Sequence, residues 1–183
     1  MFILYALILG LTVGLVSGGH LSGLSRLTFK WAWVFVAGLA TQIALFSDPV
    51  TERIGALGVP IYVLSTALVL TAVLANRAMP GMLVVALGAA SNLTAIVANG
   101  GYMPASAEAL AALGKVPKTV YSNSALLPDP ALGPLTDIFA LPRWLPWANI
   151  FSIGDLLIGL GVILVIVVAM RRPGPQPESP PVS

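Results

Sequence analysis

Cysteine is absent from all 183 residues. That excludes disulfides, iron–sulfur clusters and thiol nucleophiles. Histidine occurs once, as His20, and the seven acids are scattered, so a metal centre lacks its ligands. No metal and no cofactor is expected. Charge is scarcer still: 9% of residues are charged, against roughly 25% in a soluble domain. So little polar surface cannot cover a globule in water. The net charge of +2 is too small to imply nucleic acid. A basic stretch ahead of the first apolar run is also missing. Met1-Phe2-Ile3-Leu4-Tyr5 therefore reads as a retained membrane helix and not as a cleaved leader.

Apolar residues dominate instead, at 57%, with a mean hydropathy of +0.94. The lipid bilayer is the solvent that fits. Five apolar stretches approach spanning length: Phe2–Ser17, Trp31–Phe46, Val59–Ala75, Met82–Asn99 and Ile153–Met170. Inside lipid every backbone group must bond within its own segment, so these are expected to be helices. Gly, Pro and Asn clusters punctuate them, at Gly18-Gly19, Asp48-Pro49, Asn76 to Gly81 and Asn99 to Pro104. The expectation is an all-α polytopic membrane protein with one membrane domain over residues 1–170. Residues 171–183 form a Pro-rich tail expected to be disordered.

Residues 100–151 are long for a loop yet rich in leucine and aromatics. Ser106 predicts the start of a short helix that stops at Gly114. This stretch is expected to fold as a cap on the membrane surface, with Trp144 and Trp147 at the interface and Ile138 and Phe139 turned toward the helices.

Charge sets the expected orientation. With the N-terminus outside, the cytoplasmic side holds Arg26, Lys30, Arg77, Arg171 and Arg172, with Glu178 its only acid. The cap then faces outward, the C-terminus is cytoplasmic, and the chain is a multi-pass protein of the cell membrane. The informative polar residues within the helices fall in the outer half: Gln42 with Thr41 beside it, Tyr62, Ser65, Asn92, Asn99 and Asp155. Gly88, Asn92, Ala95 and Asn99 share one helix face, and Val34, Gly38 and Gln42 another. Gly10, Gly14 and Gly18 recur every fourth residue. Such stripes are ordinarily helix-packing faces; the alternative is that they line an outward-facing pocket. Asp155 has the same double reading. Ser152-Ile153-Gly154-Asp155 matches a capping box, and a carboxyl there could also accept a cation or hydroxyl. Asn99 and Asp155 are expected to meet at one outer level, with Gly100-Gly101 allowing close backbone approach. Gln42 and Asn92 would lie deeper, Asn92 by about 10 Å.

Other candidates carry less. Asn92-Leu93-Thr94 matches a glycosylation sequon inside a membrane helix. Tyr121 to Ser124 has no partner that would make a serine nucleophile. Asp129 and Asp137 could pair as acid and base, but nothing in the sequence fixes their spacing.

Several motifs also resemble a bacterial family of small integral membrane proteins known as domain of unknown function 5317. They are Gly18-Gly19 with Leu21, Asn99 to Pro104 with Ser106, Asp137-Ile138 before Leu141-Pro142, and Ser152 to Asp155. His20 stands where that family often has a basic residue nearby. The resemblance implies membrane placement and groups Asn99, Gly100, Gly101, Asp137 and Asp155; it implies no activity.

Three functions compete. The first is a binding or accessory protein whose outward pocket holds a lipid-like small molecule or a membrane protein partner. Its candidate ligand-binding residues are Gln42, Asn92, Asn99, Gly100, Gly101, Asp137 and Asp155. The second is an enzyme acting on a lipid at the outer leaflet, which lacks a catalytic set. The third is a transporter, which would place polar groups near the midplane. The first is preferred.

Overall fold

The computed structural model describes residues 2–114 and 124–172. Among these the chain is mostly helical. Five helices are long: α1 (Phe2–Val16), α2 (Ala32–Leu45), α4 (Gly58–Ala75), α5 (Met82–Ala98) and α7 (Ile153–Met170). Two are short: α3 (Asp48–Thr51) and α6 (Ala107–Leu113). Two stretches are long and apolar enough to cross a membrane, Gly55–Ala75 with 21 residues and Ile153–Met170 with 18. The helices α1, α2 and α5 are apolar but shorter. Four two-residue strands, which the all-α expectation did not include, lie between α5 and α7. The proposed disordered tail lies outside the described residues from 173 onward.

Local chemistry sets the helix ends. Gly18 takes a left-handed φ of +80° after α1, and the amide of Gly19 then reaches back to the carbonyl of Gly14. Ser106 caps α6 by accepting from the amide of Ala109, and Gly114 closes it with φ +64°. The start of α7 carries the capping box its sequence announces.

Packing follows the glycines. Helix α7 lies between α1 and α5; α4 packs on α5, and α2 on α4. The α5–α7 contact is antiparallel and nearly backbone to backbone. A Cβ on Gly88 would stand 2.4 Å from the carbonyl oxygen of Gly154, and one on Gly81 2.4 Å from that of Gly161. Against α1, a Cβ on Gly14 would strike the sulfur of Met170 at 2.4 Å. Small residues thus face inward, while Ile8, Leu9, Trp33, Val36, Leu64, Leu68, Leu83, Leu87, Leu156 and Leu160 are exposed. Gly18 belongs to the turn, with nothing within 4 Å of its would-be Cβ.

The two ends of the molecule differ. At one, the amide of His20 donates to the carbonyl of Met170, and Asn76 holds Lys30. At the other, described residues between α5 and α7 contact α1. Phe2 stacks on Phe151 at 4.5 Å, and Phe139 on Phe151 at 5.4 Å. The Tyr5 hydroxyl donates to the carbonyl of Pro146. Strand Phe139–Ala140 pairs antiparallel with Ile150–Phe151, and Ala105 bridges Asp137 in parallel. Here the expected facing is corrected. Thr136 and Asp137 are buried, whereas Ile138 and Phe139 are 39% and 40% exposed. Thr136 is buried at the end of a tight turn, its hydroxyl donating to the carbonyl of Gly133; beyond it the extended backbone alternates its sides, so the bridge that turns Asp137 inward turns Ile138 out. Phe139 stacks its ring on Phe151. Trp144 and Trp147 are exposed.

Candidate functional site

The turn into α7 supplies the first polar group. Ser152 is fully buried and its hydroxyl accepts from the amide of Asp155 at 3.0 Å. In return, Asp155 Oδ2 accepts from the Ser152 amide at 3.1 Å. Because Gly88 and Gly154 bring α5 close, Asn92 joins the box. Its Nδ2 donates to Asp155 Oδ1 at 2.9 Å, and its Oδ1 accepts from the Ser152 hydroxyl at 2.8 Å. The result is a closed ring of Ser152, Asn92 and Asp155, completed through the main-chain amides of Ser152 and Asp155, that ties α5 to α7.

This ring borders a cavity of about 270 Å³. Four helices and the segment after α5 line it: Gln42 from α2, Tyr62, Thr66 and Val69 from α4, Ala89, Asn92 and Ile96 from α5, Asp155 and Ile158 from α7, with Met103 and Asp137. Gln42 Nε2 donates to the Thr66 hydroxyl at 3.4 Å, and Thr66 donates to the carbonyl of Tyr62 at 2.8 Å. Asp137 is held by its backbone, its amide donating to Pro104 and its carbonyl accepting from Ser106. Its Oδ1 is buried with no hydrogen-bond partner among the described residues. Burial pushes the Asp137 carboxyl up to about 7, with the negative charge of Asp155 adding to the rise.

The sequence-predicted residues divide here. Gln42, Asn92, Asp137 and Asp155 line one cavity; Asn99, Gly100 and Gly101 do not. Asn99 instead clamps a loop. Its Oδ1 accepts from the amide of Ala131 and its Nδ2 donates to the carbonyl of the same residue, both at 2.8 Å. Gly100 (φ +70°) makes the turn in open space, and Gly101 (φ +94°) lets the chain pass Val59, which a Cβ would meet at 2.2 Å. Ser65 is buried and donates to the carbonyl of Tyr62, away from the cavity lining. Sequence reasoning missed Thr66 and the link from Ser152 to Asn92. Thr66 follows Tyr62 by one helical turn, a signal that could have found it. A larger groove of about 500 Å³ between α6 and residues 126–138 offers a single acid, Glu108. The smaller cavity is the candidate because polar groups from separate elements converge on it.

Removing the Ser152 hydroxyl unpairs both Asn92 Oδ1 and the Asp155 amide. Ser152→Ala is therefore expected to cost about 1–3 kcal/mol. Combined with Asn92→Ala, the two losses should fall short of additive by about 1 kcal/mol or more. Unfolding of the four proteins of the cycle in detergent measures this; strict additivity would rule out the ring.

These features define a class: a mostly helical protein with two helices long and apolar enough to cross a membrane and a polar cavity between its helices. The chain belongs to the family of unknown function DUF5317, which it matches over residues 26–167. The motifs from Asn99 to Asp155 lie inside that match, whereas Gly18-Gly19 and Leu21 precede it. Neither the curated proteins nor the solved structures give a match.

Proposed function

We propose that this chain is a five-helix membrane protein whose segment between α5 and α7 caps a polar cavity on the outer side, and that the cavity binds a small molecule. The convergence of Gln42, Asn92, Asp137 and Asp155 on one cavity carries the reading. The membrane placement draws on two helices of crossing length and on the exposed apolar faces of all five. The shorter helices would span about 21–26 Å at 1.5 Å per residue, less than the ~30 Å hydrocarbon core, a mismatch that local bilayer thinning accommodates. The outward orientation rests on Arg26, Lys30, Arg77, Arg171 and Arg172 as the cytoplasmic set.

Binding is preferred to catalysis for a structural reason. Both carboxyl oxygens of Asp155 are already engaged, by Asn92 and by the Ser152 amide. That leaves Asp137 as the one carboxyl of the described lining with an unpartnered buried oxygen, where a two-carboxyl mechanism would need a second free carboxyl.

Two measurements test the proposal. A reporter active only in the cytoplasm should work when fused after Arg172 and fail when inserted at Asp129; the reverse would overturn the orientation. Native mass spectrometry of protein released from detergent should show a bound small species that Ala89→Trp, which fills the cavity, removes. Identical spectra for the two proteins would overturn binding there.

A further inference from the structure

The donors and acceptors around the cavity do not balance. Asn92 Nδ2 is engaged by Asp155, Gln42 Nε2 by Thr66, the Thr66 hydroxyl by the carbonyl of Tyr62, and the Ser152 hydroxyl by Asn92. Each of these groups already serves a protein acceptor, and the second N–H of Asn92 and of Gln42 is not directed at Asp137 Oδ1. Against them stands Asp137 Oδ1, in a residue 7% exposed, at which the described residues aim no donor. A buried acceptor left unmet costs free energy, and a buried charge left unmet costs more. Among the described residues the lining holds two acids, Asp137 and Asp155, and no Lys, Arg or His. What the described lining lacks is therefore a positive charge that carries its own N–H donors.

Taking the cavity of the preceding section as a binding site, we propose that its ligand is a small organic cation bearing a primary ammonium group, which donates to Asp137 Oδ1 and lies against the charge of Asp155. The rest of the lining says what the ammonium is attached to. Val69, Ala89, Ile96, Met103 and Ile158 form an apolar wall suited to a short carbon chain. A bare metal ion is a poorer fit. Among the described residues no three His, Cys, Asp or Glu side chains gather, and about 270 Å³ is far more than one ion fills. A free alkylamine and the amine headgroup of a lipid share the required chemistry.

Protonation of Asp137 competes with such a ligand, since the neutral acid has its own proton to donate and no charge to offer. The titratable neighbours on the lining are Asp155 from α7 and Tyr62 from α4. Helices α2 and α5 contribute the carboxamides Gln42 and Asn92, and Glu108 of α6 lines the separate groove. With Asp137 titrating at about 7, affinity for the cation should rise as pH passes from 6 to 8.

The cysteine-free chain makes the test direct, because Ala89→Cys places one thiol on the cavity wall. The purified protein is treated in detergent with aminoethyl methanethiosulfonate, a primary ammonium, or with its sulfonatoethyl counterpart, an anion. Rates are referred to a free thiol of the same pH. The ammonium reagent should be favoured roughly tenfold or more at pH 8, and adding Asp137→Asn should remove most of that preference. If that variant does not fold, the fall in preference of Ala89→Cys between pH 8 and pH 6 reads the same dependence. Protection by butylamine would support a free amine. Protection by a short-chain phosphatidylethanolamine, but not by its choline counterpart, would support a lipid headgroup. Equal referred rates for the two reagents would overturn the cation proposal and leave the cavity standing. A thiol inert to both would overturn the accessible cavity itself.

Discussion

Gly88→Val is expected to destabilise the protein by about 3 kcal/mol or more, the upper range for overpacking a tight contact. The cause is what lies opposite. A Cβ at position 88 would stand 2.4 Å from the carbonyl oxygen of Gly154 and 2.8 Å from the amide of Ile158. Both are backbone atoms, so no rotamer change relieves the clash and the helices must separate. The damage should extend to the cavity. Asn92 lies one turn along from Gly88, and its bonds to Asp155 and Ser152 are 2.9 and 2.8 Å long. A small outward shift of α5 would break both. Thermal unfolding in mild detergent measures the effect. Gly100→Ala is the control: nothing lies within 4 Å, and only the left-handed φ of +70° is strained, at about 1–2 kcal/mol. If the valine variant melts as late as this control, α5 and α7 do not meet as described.

The second large effect depends on pH. Asp137 is pushed from 3.8 to about 7, first by burial and then by the charge of Asp155. The folded protein keeps this proton up to about pH 7, while the unfolded chain releases it near 4. Between those values the unfolded state binds fewer protons, so stability falls as pH rises. The shift corresponds to about 4 kcal/mol, lost progressively across that window and absent from further change above it. Asp137→Asn removes the titration. Its melting temperature, relative to the parent, should therefore climb from pH 4 to pH 8, and at pH 8 the variant should be the more stable of the two. A constant difference across the range would mean that Asp137 is not buried as an acid. A saturating amine should narrow the gap at pH 8 if it supplies the missing charge.

The long helices were legible in the sequence almost to the residue. Val59–Ala75 was expected where Gly58–Ala75 is found, and Ile153–Met170 agrees at both ends. Apolar runs broken by Gly and Pro leave little freedom over where a helix stops. The capping box was legible for a similar reason, since all its atoms lie within four consecutive residues. What failed to show were the clamps and bridges that tie the irregular segments in place. Nothing near Asn99 announces Ala131, 32 positions away. The bridge from Ala105 to Asp137, which decides that Ile138 faces out, pairs residues from opposite sides of a long irregular stretch. Gln42, Asn92 and Asp155 were identifiable one by one as polar groups inside apolar helices, whereas Asp137 joined them only through the family resemblance. That they share a cavity follows from which helices are neighbours, and glycine spacing allows several such arrangements.

One device occurs twice, once at each end of the molecule. Asn76, just past α4, bonds the amide and the carbonyl of Lys30 and also the carbonyl of Ala72 four residues back. Asn99, just past α5, does the same to Ala131 and to Ala95. Each carboxamide stands in for a strip of β-strand, offering one donor and one acceptor side by side to a passing chain. Such a grip is indifferent to spelling. It reads only main-chain atoms, so the gripped positions are free to carry a lysine in one case and an alanine in the other, and proline alone, having no N–H, is shut out. Variation at these loops is thereby uncoupled from their anchoring, and the information that fixes both loops is stored in the two asparagines instead.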